Sequence, residues 1–480
     1  MKEHSRLREQ ARVGSARNIK ITKTLRIFCA ALLLLLLIAI IKSFSGTIFK
    51  LSASVAALSV GYACLRLMAC LTPKPRPDAD TPSTAPQIWP YYTVLVPLYR
   101  EAHMVQTLMD ELSKLDYPQD RLEIFMICEA SDPATTEAVN RHIRPTFRLI
   151  TAPPITKGGE PQTKPRALNI ALQQANGAFV TIYDAEDIPD PSQLKIAVRQ
   201  FFKNPKLGAL QAPLDYANSE QSWITRQFTL EYAALFHVWL PFLASAGLPF
   251  PLGGTSNHMR RTALDGLDIG GWDSYNVTED ADLSYRLAAN GWELGYITPP
   301  TQEEAVSSWR AWHYQRSRWM KGYMQTWLVH MRAPLAPGGW AGLKRFFTLQ
   351  LTVGLTLVNA LFHLPVIITI LCFHGYMALS GEPTPIARHF ILSLVISYVM
   401  GIVIGAVGAY RSGKPHLIIT AITMPFYWLA LFPPTMRALW ELWRAPFLWH
   451  KTEHGVMAPA SKPLETMSRK PREPKYDALR

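Results

Sequence analysis

Apolar residues concentrate in two parts of the chain, 27–71 and 346–434, and the stretch between them mixes apolar and charged residues as a water-facing domain does. Within the first part, 27–41 is an unbroken apolar run and a second run covers about 48–71. As helices, these runs approach the roughly 20 residues that cross a bilayer core. The pattern therefore predicts a hairpin of two membrane-spanning helices.

The second apolar part holds three further runs, at about 346–373, 389–410 and 416–434. The third run contains proline, which removes helical hydrogen bonds, so we expect a broken or re-entrant segment there. The stretch 436–449 is amphipathic and rich in Trp and Arg, a pattern typical of an interfacial helix. One of these last two segments is expected not to cross the membrane.

Basic residues dominate the first 26 positions of this 480-residue chain, whose 49 Lys and Arg against 36 Asp and Glu give a net charge of +13. The positive-inside rule places such an N-terminus in the cytoplasm, and two crossings return the chain to that side. We therefore expect a multi-pass protein of the inner (plasma) membrane with a cytoplasmic central domain. The basic tail after Lys451 also favours the cytoplasm, which requires an even number of crossings unless tail charge does not set the topology.

These patterns divide the chain into six parts. They are a basic N-terminus (1–26), a two-helix membrane hairpin (27–71), a Pro-rich linker (72–90), a central domain (91–335), a C-terminal membrane region (336–434), and an interfacial helix with a basic tail (435–480). The five Cys lie in apolar runs or a predicted strand and lack the spacing of a zinc site.

The central domain alternates β-rich runs with segments of helical periodicity. The β-rich runs are 93–99, 122–128 and 178–183, and the helical segments between and after them include 102–115 and 164–174. This alternation indicates an α/β domain with a parallel sheet whose two faces are covered. Polar clusters follow the three runs, and ligands of such sheets bind at the carboxyl ends of the strands.

The cluster after the third run contains Asp184, Glu186 and Asp187. One interpretation is a solvated loop or a helix cap before Pro189. The other is a site for Mg²⁺ or Mn²⁺, because carboxylate oxygens suit hard cations that bridge to a diphosphate. The sequence contains no Walker GxxxxGK[ST] loop, so it gives no support to nucleotide hydrolysis by that device.

Two later segments carry further candidate chemistry. A Gly-rich loop at 250–258 lets the backbone approach a ligand closely, and 277–280 precedes a helical stretch, so Thr278 is also a plausible N-cap. On a helix, Gln315, Arg318 and Trp319 share one face, and Arg316 turns aside. The Trp and Arg content of that helix is also typical of a membrane interface.

Six motifs in this order resemble the processive branch of family 2 glycosyltransferases, which includes cellulose, chitin, hyaluronan and curdlan synthases. They are Val-Pro-Leu-Tyr-Arg-Glu at 96–101, Lys-Pro-Arg-Ala-Leu-Asn at 164–169, Asp-Ala-Glu-Asp at 184–187, Gly-Gly-Thr-Ser-Asn at 253–257, Thr-Glu-Asp at 278–280 and Gln-Arg-Ser-Arg-Trp at 315–319. The resemblance implies a GT-A type (Rossmann-like) cytoplasmic domain between transmembrane helices, a UDP-sugar donor and Mg²⁺ or Mn²⁺.

The resemblance also implies a role for each matched residue. Asp280 is the implied catalytic base, within the motif that includes Glu279 and Thr278. Donor contacts are implied for Pro97, Tyr99, Glu101, Glu129, Asp132, Lys164, Asp184, Gln315, Arg316, Arg318 and Trp319. Acceptor contacts are implied for Gly254, Thr255, Ser256, Asn257 and Trp319, and metal contacts for Asp184, Glu186 and Asp187. Glu129 and Glu186 stand where the family usually has Asp.

The expected function is inverting transfer of sugar from a UDP-sugar, UDP-glucose or UDP-GlcNAc foremost, to a growing β-linked polysaccharide that is extruded across the membrane. The expected partners include the lipid bilayer and accessory export subunits. Nucleic acid is not an expected partner. The alternative is transfer of a single sugar to a lipid or other membrane acceptor. A third interpretation is a non-catalytic membrane scaffold.

The segment 449–455 has two interpretations. Lys451 and Gly455 suit the end of a helix, where a cation and a glycine cap are favourable. Together with Trp449 and Thr452, they also resemble the mobile gating loop that processive members carry after the transferase domain. The second interpretation predicts a cytoplasmic loop over the diphosphate.

Overall fold

The two N-terminal apolar runs form the helices α1 (Lys23–Lys42) and α2 (Phe44–Leu71), which meet at Ser43. The Ser43 hydroxyl accepts a hydrogen bond from the Gly46 amide at 3.2 Å and caps α2. The computed structural model describes residues 14–19, 23–75, 86, 88–156, 159–381 and 385–448. The predicted gating residues Trp449, Lys451, Thr452 and Gly455 lie outside this range.

Ten strands form the two sheets of the central domain. They are β1 (Tyr92–Leu98), β2 (Leu122–Glu129), β3 (Phe147–Ala152), β4 (Phe179–Ile182), β5 (Ile188–Pro189), β6 (Leu207–Gln211), β7 (Leu214–Tyr216), β8 (Asn257–Arg260), β9 (Glu293–Tyr296) and β10 (Thr301–Glu303). The main sheet has the order β3-β2-β1-β4-β8-β6-β9, and a small sheet has the order β5-β10-β7.

Helices cover the sheet and continue into the C-terminal region. They are α3 (Val105–Leu112), α4 (Pro133–His142), α5 (Lys164–Leu172), α6 (Gln193–Lys203), α7 (Trp223–Ala234), α8 (Leu240–Ser245), α9 (Arg261–Asp265), α10 (Glu279–Ala289), α11 (Trp309–His330), α12 (Gly339–Leu349), α13 (Leu355–Ser380), α14 (Pro385–Arg411), α15 (Met424–Leu429) and α16 (Phe432–Arg444). One π-helical turn joins α7 to α8, and another joins α12 to α13.

The main sheet is mixed, whereas the sequence pattern predicted a parallel one. Strand β8 runs antiparallel to β4 and β6, and the remaining pairs are parallel. The alternation of strands and helices before residue 183 correctly predicted β1, β2 and β4. It carried no information about the direction of β8, because this strand follows the long α7–α8 excursion.

The core has a layer on each face of the sheet. Alternate residues of β1 enter opposite layers: Val94 and Val96 pack with Met109 of α3, and Leu95 packs with Phe125 and the residues of α5. All of these side chains are buried. Burial on both faces makes the edge of the sheet the place where polar side chains can collect.

Four helical stretches in the described part of the chain are long and apolar enough to cross a membrane. They are Ala53–Leu71, Gly339–Thr369, Ile391–Arg411 and Pro415–Arg444, and Ala30–Lys42 is a shorter apolar helix. The last of the four is not continuous. It consists of 3₁₀ turns at Pro415–Leu417 and Ile419–Thr423, followed by α15 and α16, so the expectation of a broken third run is confirmed.

A glycine face on α14 accommodates this broken segment. A Cβ atom at Gly401 or Gly405 would collide with Trp428 or Met424, and one at Gly408 would collide with the backbone of α7. Only glycine lets these elements approach so closely. The central domain and the C-terminal helices therefore pack directly on each other through α7 and α14.

The amphipathic helix expected at 436–449 is α16, which begins and ends a few residues earlier. It buries Ala438 and Glu441 and leaves Trp440 and Trp443 exposed by 60% and 75%. Its buried Glu441 pairs with Lys321 of α11 at 2.9 Å. One face of α16 thus binds helix α11 of the central domain, and the aromatic face remains available for a bilayer surface.

Candidate active site

The polar edge of the main sheet collects loops from four strands. The carboxyl ends of β1, β2 and β4 lie there because these strands are parallel. Strand β8 runs the other way, so its amino end, with the preceding loop 253–256, reaches the same edge. The sheet therefore brings together segments that are far apart in the sequence.

The loop after β1 is fastened to the start of α4. The Arg100 amide donates to the Asp132 carboxylate, and the Glu101 amide donates to Thr135 Oγ1 at 3.0 Å. Arg100 adopts a left-handed φ of 56°, which turns the chain sharply at this point. Asp132 also caps α4 by accepting from the Thr135 amide at 3.3 Å. This network brings Tyr99, Glu101 and Asp132 together, as predicted for one binding site.

Glu129 lies at the end of β2, where its carboxylate meets Arg166 of α5 at 3.5 Å. Burial raises the pKa of Glu129, and the Arg166 charge opposes this rise. Pro97 lies within β1, opposite Ile127 of β2 in the parallel register. The two residues therefore occupy the sheet edge beside the 99–101 loop.

Lys164, the first residue of α5, links the loop after β4 to the loop before β8. Its ammonium donates to Asp184 and, at 2.8 Å, to the Gly254 carbonyl. Burial favours the neutral amine, but the charges of Asp184, Glu279 and Asp280 outweigh it and raise the pKa of Lys164. The lysine is therefore a fixed cation among four acidic or carbonyl partners.

The loop 184–187 is held by its last residue. The carboxylate of Asp187 accepts from the Asp184 amide at 2.7 Å and from the Thr255 hydroxyl, and the residue is 1% exposed. Burial and the charges of Asp184 and Glu186 raise the pKa of Asp187 well above its usual value. Asp184 and Glu186 are partly exposed. Asp187 thus shapes the loop, and Asp184 and Glu186 offer their carboxylates to a ligand.

The residues present fit a divalent cation. Asp187 Oδ1 is buried and has no hydrogen-bond partner, and burial together with the charges of Asp187, Glu186 and Asp184 raises the pKa of Glu303 on β10. The carboxylates of Asp184, Glu186, Asp187 and Glu303 thus lie near enough to one another, and to Lys164, to interact through their charges. In the described residues no three His, Cys, Asp or Glu side chains converge as a complete metal-binding group. A cation here would need diphosphate or water oxygens to complete its shell, as Mg²⁺ and Mn²⁺ commonly do.

Helix α10 begins with the acidic pair Glu279 and Asp280. A Cβ atom added at Gly254 would lie 3.3 Å from Asp280 Oδ2 and 3.9 Å from Lys164 Nζ, so the glycine backbone lies directly against both groups. Burial and the charge of Asp280 raise the pKa of Glu279 to about 7. Burial also raises the pKa of Asp280, against the opposing charges of Lys164 and Arg318.

Thr278 occupies the N-cap position of α10 without the side-chain hydrogen bond that defines a cap. Its hydroxyl is buried without a partner, and its side chain lies against Gly322 of α11. Thr278 therefore occupies the predicted N-cap position but does not make the hydrogen bond of an N-cap. Thr278 instead forms the contact between the start of α10 and the middle of α11.

The α11 residues separate into two environments. The positive charge of Arg318 offsets part of the rise in the pKa values of Glu279 and Asp280. Gln315 Oε1 is buried and has no hydrogen-bond partner in the described residues. Arg316 instead points into a buried cluster, where it pairs with Glu231 of α7 and donates to the Tyr427 hydroxyl at 2.7 Å.

The guanidinium of Arg316 also lies 4.5 Å from the centroid of the Trp319 ring. Glu231 and Tyr427 already occupy this guanidinium, so Arg316 lies in an interior ion pair, and its expected contact with a diphosphate stays a prediction. The motif itself does not point to Glu231 or Tyr427, which lie 85 residues before and 111 residues after Arg316. Trp319 packs against Phe228 and Tyr232, with ring centroids 5.9 and 6.1 Å apart.

The side chains expected to contact the acceptor are mostly committed to the protein. Thr255 donates to the Ile182 carbonyl at 3.1 Å, Ser256 to Thr301 at 2.6 Å, and Asn257 to the Gly253 carbonyl at 2.5 Å. All three residues are buried. They shape the loop, and of the four expected residues in this loop Gly254 is the one that borders Asp280 and Lys164.

The mixed sheet, with carboxylates at the carboxyl ends of its parallel strands, is a GT-A-like α/β fold. A solved mannosyltransferase from Pyrobaculum calidifontis, in complex with GDP-Man and Mn²⁺, has the same fold. It matches with a TM-score of 0.52 at 21% identity, over 82% of this chain and 99% of that one.

Residues 90–322, just under half of the chain, match the family model described as glycosyltransferase like family 2. This match supports the family 2 part of the prediction made from the six motifs.

Two curated relatives indicate the breadth of the similarity. A beta-monoglucosyldiacylglycerol synthase of Synechocystis sp. is 31% identical over 280 residues, which are 58% of this chain and 57% of that protein. A probable glucomannan 4-beta-mannosyltransferase of Arabidopsis thaliana is 27% identical over 242 residues, 49% of this chain and 43% of that protein. The chain spans about half the length of the curated relatives it matches. The processive part of the expectation stays a prediction.

Proposed function

We propose that the protein transfers a single hexosyl residue from a nucleotide sugar to a hydroxyl group of a membrane lipid, with inversion at the anomeric carbon. The observation that carries this proposal is the position of Lys164, which binds Asp184 and borders Asp280 at the Gly254 backbone. The buried ammonium of Lys164 thus links Asp184, the proposed carboxylate on the donor side, to Asp280, the proposed carboxylate on the acceptor side. The glycolipid synthase among the relatives supports the choice of a lipid acceptor.

The donor would lie along the sheet edge. Glu101, Glu129 and Asp132 would receive the nucleoside, and Lys164 would face the diphosphate. Asp184 and Glu186 would hold Mg²⁺ or Mn²⁺, which supplies positive charge to the departing nucleoside diphosphate. UDP-sugars remain our first expectation for the donor, and the GDP-Man complex of the structural neighbour makes GDP-mannose the second to be tested.

The transfer needs a base for the acceptor hydroxyl. Asp280 would accept the hydroxyl proton while the acceptor oxygen bonds to the anomeric carbon and the bond from that carbon to the diphosphate oxygen breaks. Glu279, whose pKa is raised to about 7, is largely protonated below neutral pH and then leaves the negative charge on Asp280. The charges of Lys164 and Arg318 favour the ionised form of Asp280, against the burial that raises its pKa.

The membrane context suits a lipid acceptor. Our proposed topology has both the basic N-terminus and the transferase domain in the cytoplasm, with α16 at the bilayer surface. A reporter fused after Arg332 should behave as a cytosolic one. Labelling of a Cys introduced at Ser219 by an impermeant reagent from outside the cell would contradict this orientation.

The direct test uses the purified protein in lipid nanodiscs that contain diacylglycerol. Radiolabelled UDP-glucose, UDP-GlcNAc, UDP-glucuronate and GDP-mannose are offered in turn with Mg²⁺ or Mn²⁺, and the lipid extract is separated by chromatography. We expect one labelled glycolipid carrying a single sugar, and we expect Asp280→Asn to lose turnover by about 10²–10⁴-fold. Absence of any labelled product with all donors would contradict the proposal.

A second candidate is elongation of a β-linked polysaccharide, which the glucomannan mannosyltransferase relative favours. The exposed ring of Trp309 lies between those of Trp223 and the buried Trp312, with centroids 5.7 and 5.4 Å away, and an exposed aromatic ring suits the apolar face of a sugar. The gating role of 449–455 and the accessory export subunits belong to this candidate. A labelled product that stays at the origin and is cut by a β-glycanase would favour it.

A further inference from the structure

The backbone that leads into Asp280 is fastened at both ends of a short loop, 273–278. At its first end, Asp273 Oδ1 accepts from the Tyr275 amide at 3.1 Å and from the Ser15 hydroxyl at 2.7 Å. Asp273 Oδ2 accepts from the Ala16 amide at 2.6 Å, and Ala16 is completely buried. The N-terminal segment 14–18 thus fixes the beginning of the loop.

Gln325 of α11 fixes the other end. Its Oε1 accepts from the Val277 amide at 3.0 Å, and its Nε2 donates to the Pro446 carbonyl at 2.9 Å and to the Tyr275 carbonyl at 3.4 Å. The Gln325 residue is completely buried. Its amide therefore joins the backbone just before the acidic pair of α10 to the chain that follows α16.

The chain after α16 is itself held in place, so it can serve as a fixed partner. Lys321 Nζ donates to the Leu448 carbonyl at 2.6 Å while it pairs with Glu441 at 2.9 Å. The ring of Phe447 meets the ring of Tyr275 edge-on, with centroids 5.1 Å apart. The turn 445–448 and the loop 273–278 are therefore packed together above α11.

We propose that Gln325 is a positioning residue for the transfer reaction. By holding the Val277 amide against the turn 445–448, it sets where α10 begins and hence where the Asp280 carboxylate lies relative to Gly254. Gln325 makes no contact with Asp280 itself. The inference rests on the proposed function, because it assigns the base role to Asp280.

An amide is needed at this position because the site requires an acceptor and donors on one side chain. Methionine has a similar length but offers no donor and only a weak thioether acceptor, so Gln325→Met deprives the Val277 amide of its strong buried partner. Glutamate keeps the acceptor for Val277 and loses the donation to Pro446 and Tyr275. The two variants therefore separate the link to the active-site loop from the link to the turn.

The experiment measures kcat and the donor KM for both variants in nanodiscs. A displacement of about 1 Å at a reacting group can cost about 100-fold in rate, so we expect kcat of Gln325→Met to fall by about 10- to 100-fold. The donor KM should change less than about twofold, because the donor carboxylates lie on other loops. Gln325→Glu should retain more of kcat than Gln325→Met.

Gln193 provides a matched control, because it is also a completely buried glutamine with one accepted and two donated hydrogen bonds. It accepts from the Tyr183 hydroxyl at 2.8 Å and donates to Pro299 and Thr301 at 3.0 and 2.9 Å. We expect Gln193→Met to lower thermal stability without the selective loss of kcat.

The outcomes separate a failure of the proposed function from a failure of the role proposed for Gln325. If the wild-type protein makes no product, the proposed function fails before Gln325 is tested. If the wild type is active, the positioning role is overturned by a Gln325→Met protein that keeps more than half of kcat. It is also overturned if the loss of apparent kcat equals the loss of folded fraction, so that kcat per folded molecule is unchanged.

Discussion

Gly322 lies against Thr278 at the start of α10, and replacing it with alanine tests whether that contact positions Asp280, the proposed base. A Cβ atom at Gly322 would lie 2.7 Å from Cβ of Thr278 and closer still to the hydroxyl and methyl groups of the same side chain. Rotating the Thr278 side chain cannot relieve a clash with its own Cβ. The backbone at the N-terminus of α10 would have to move.

The size of this movement follows from ordinary contact distances. Carbon atoms pack at about 3.5–4.0 Å, so the substitution requires a shift of about 1 Å. Overpacking of this kind costs about 1–3 kcal/mol of stability, and a 1 Å misplacement of a reacting group costs about 100-fold in rate. We therefore expect a large loss of kcat with a moderate loss of stability.

The assay compares Gly322→Ala with Gly61→Ala, an alanine in helix α2 where no atom lies within 4 Å of the new Cβ. Alanine itself favours a helix by about 1 kcal/mol over glycine, so the control should be neutral or stabilising. Nucleotide binding by Gly322→Ala, measured by calorimetry, should stay near the wild-type value. A Gly322→Ala enzyme with more than half of wild-type kcat would refute the claim that this contact positions Asp280.

Three further predictions concern the charged groups. Asp184→Asn should abolish the Mn²⁺-dependent part of nucleotide-sugar binding, and binding that remains equally metal-dependent would remove this residue from the cation site. Because burial raises the pKa of Asp280 and Lys164 opposes the rise, the acid limb of the kcat/KM profile should lie above the usual Asp value of about 4 and move to still higher pH in Lys164→Met. An unmoved limb in that variant would contradict the coupling. Asp273→Ala should release the segment 14–18, so trypsin should cleave after Arg17 faster than in the wild type; an unchanged cleavage rate would show that this carboxylate does not retain it.

The first half of the central domain could be predicted because its chemistry is local. β1, β2 and β4 each combine β-rich runs with a polar cluster at the end, and the structure places those clusters at one edge. The broken third C-terminal run was equally accessible, since proline acts on its own helix. These features depend on neighbours within a few residues.

The features that could not be predicted depend on partners far along the chain. Arg316 belongs to a motif that suggests ligand binding, yet its partner Glu231 lies 85 residues earlier. The anchoring of Asp273 by Ser15 and Ala16 spans more than 250 residues. Neither periodicity nor motif spacing carries such information. The interior ion pair and the N-terminal contact could therefore not be predicted from the sequence.

The reversed direction of β8 has a consequence for how acceptor choice can vary in enzymes built this way. The loop 253–256 enters a central strand at once, and its amide and hydroxyl groups are already bonded to Ile182, Asp187 and Thr301. An insertion there would have to break open the middle of the sheet. New acceptor specificities are therefore expected to arise by substitution on α7 and α11, with loop 253–256 kept at constant length as a rigid floor.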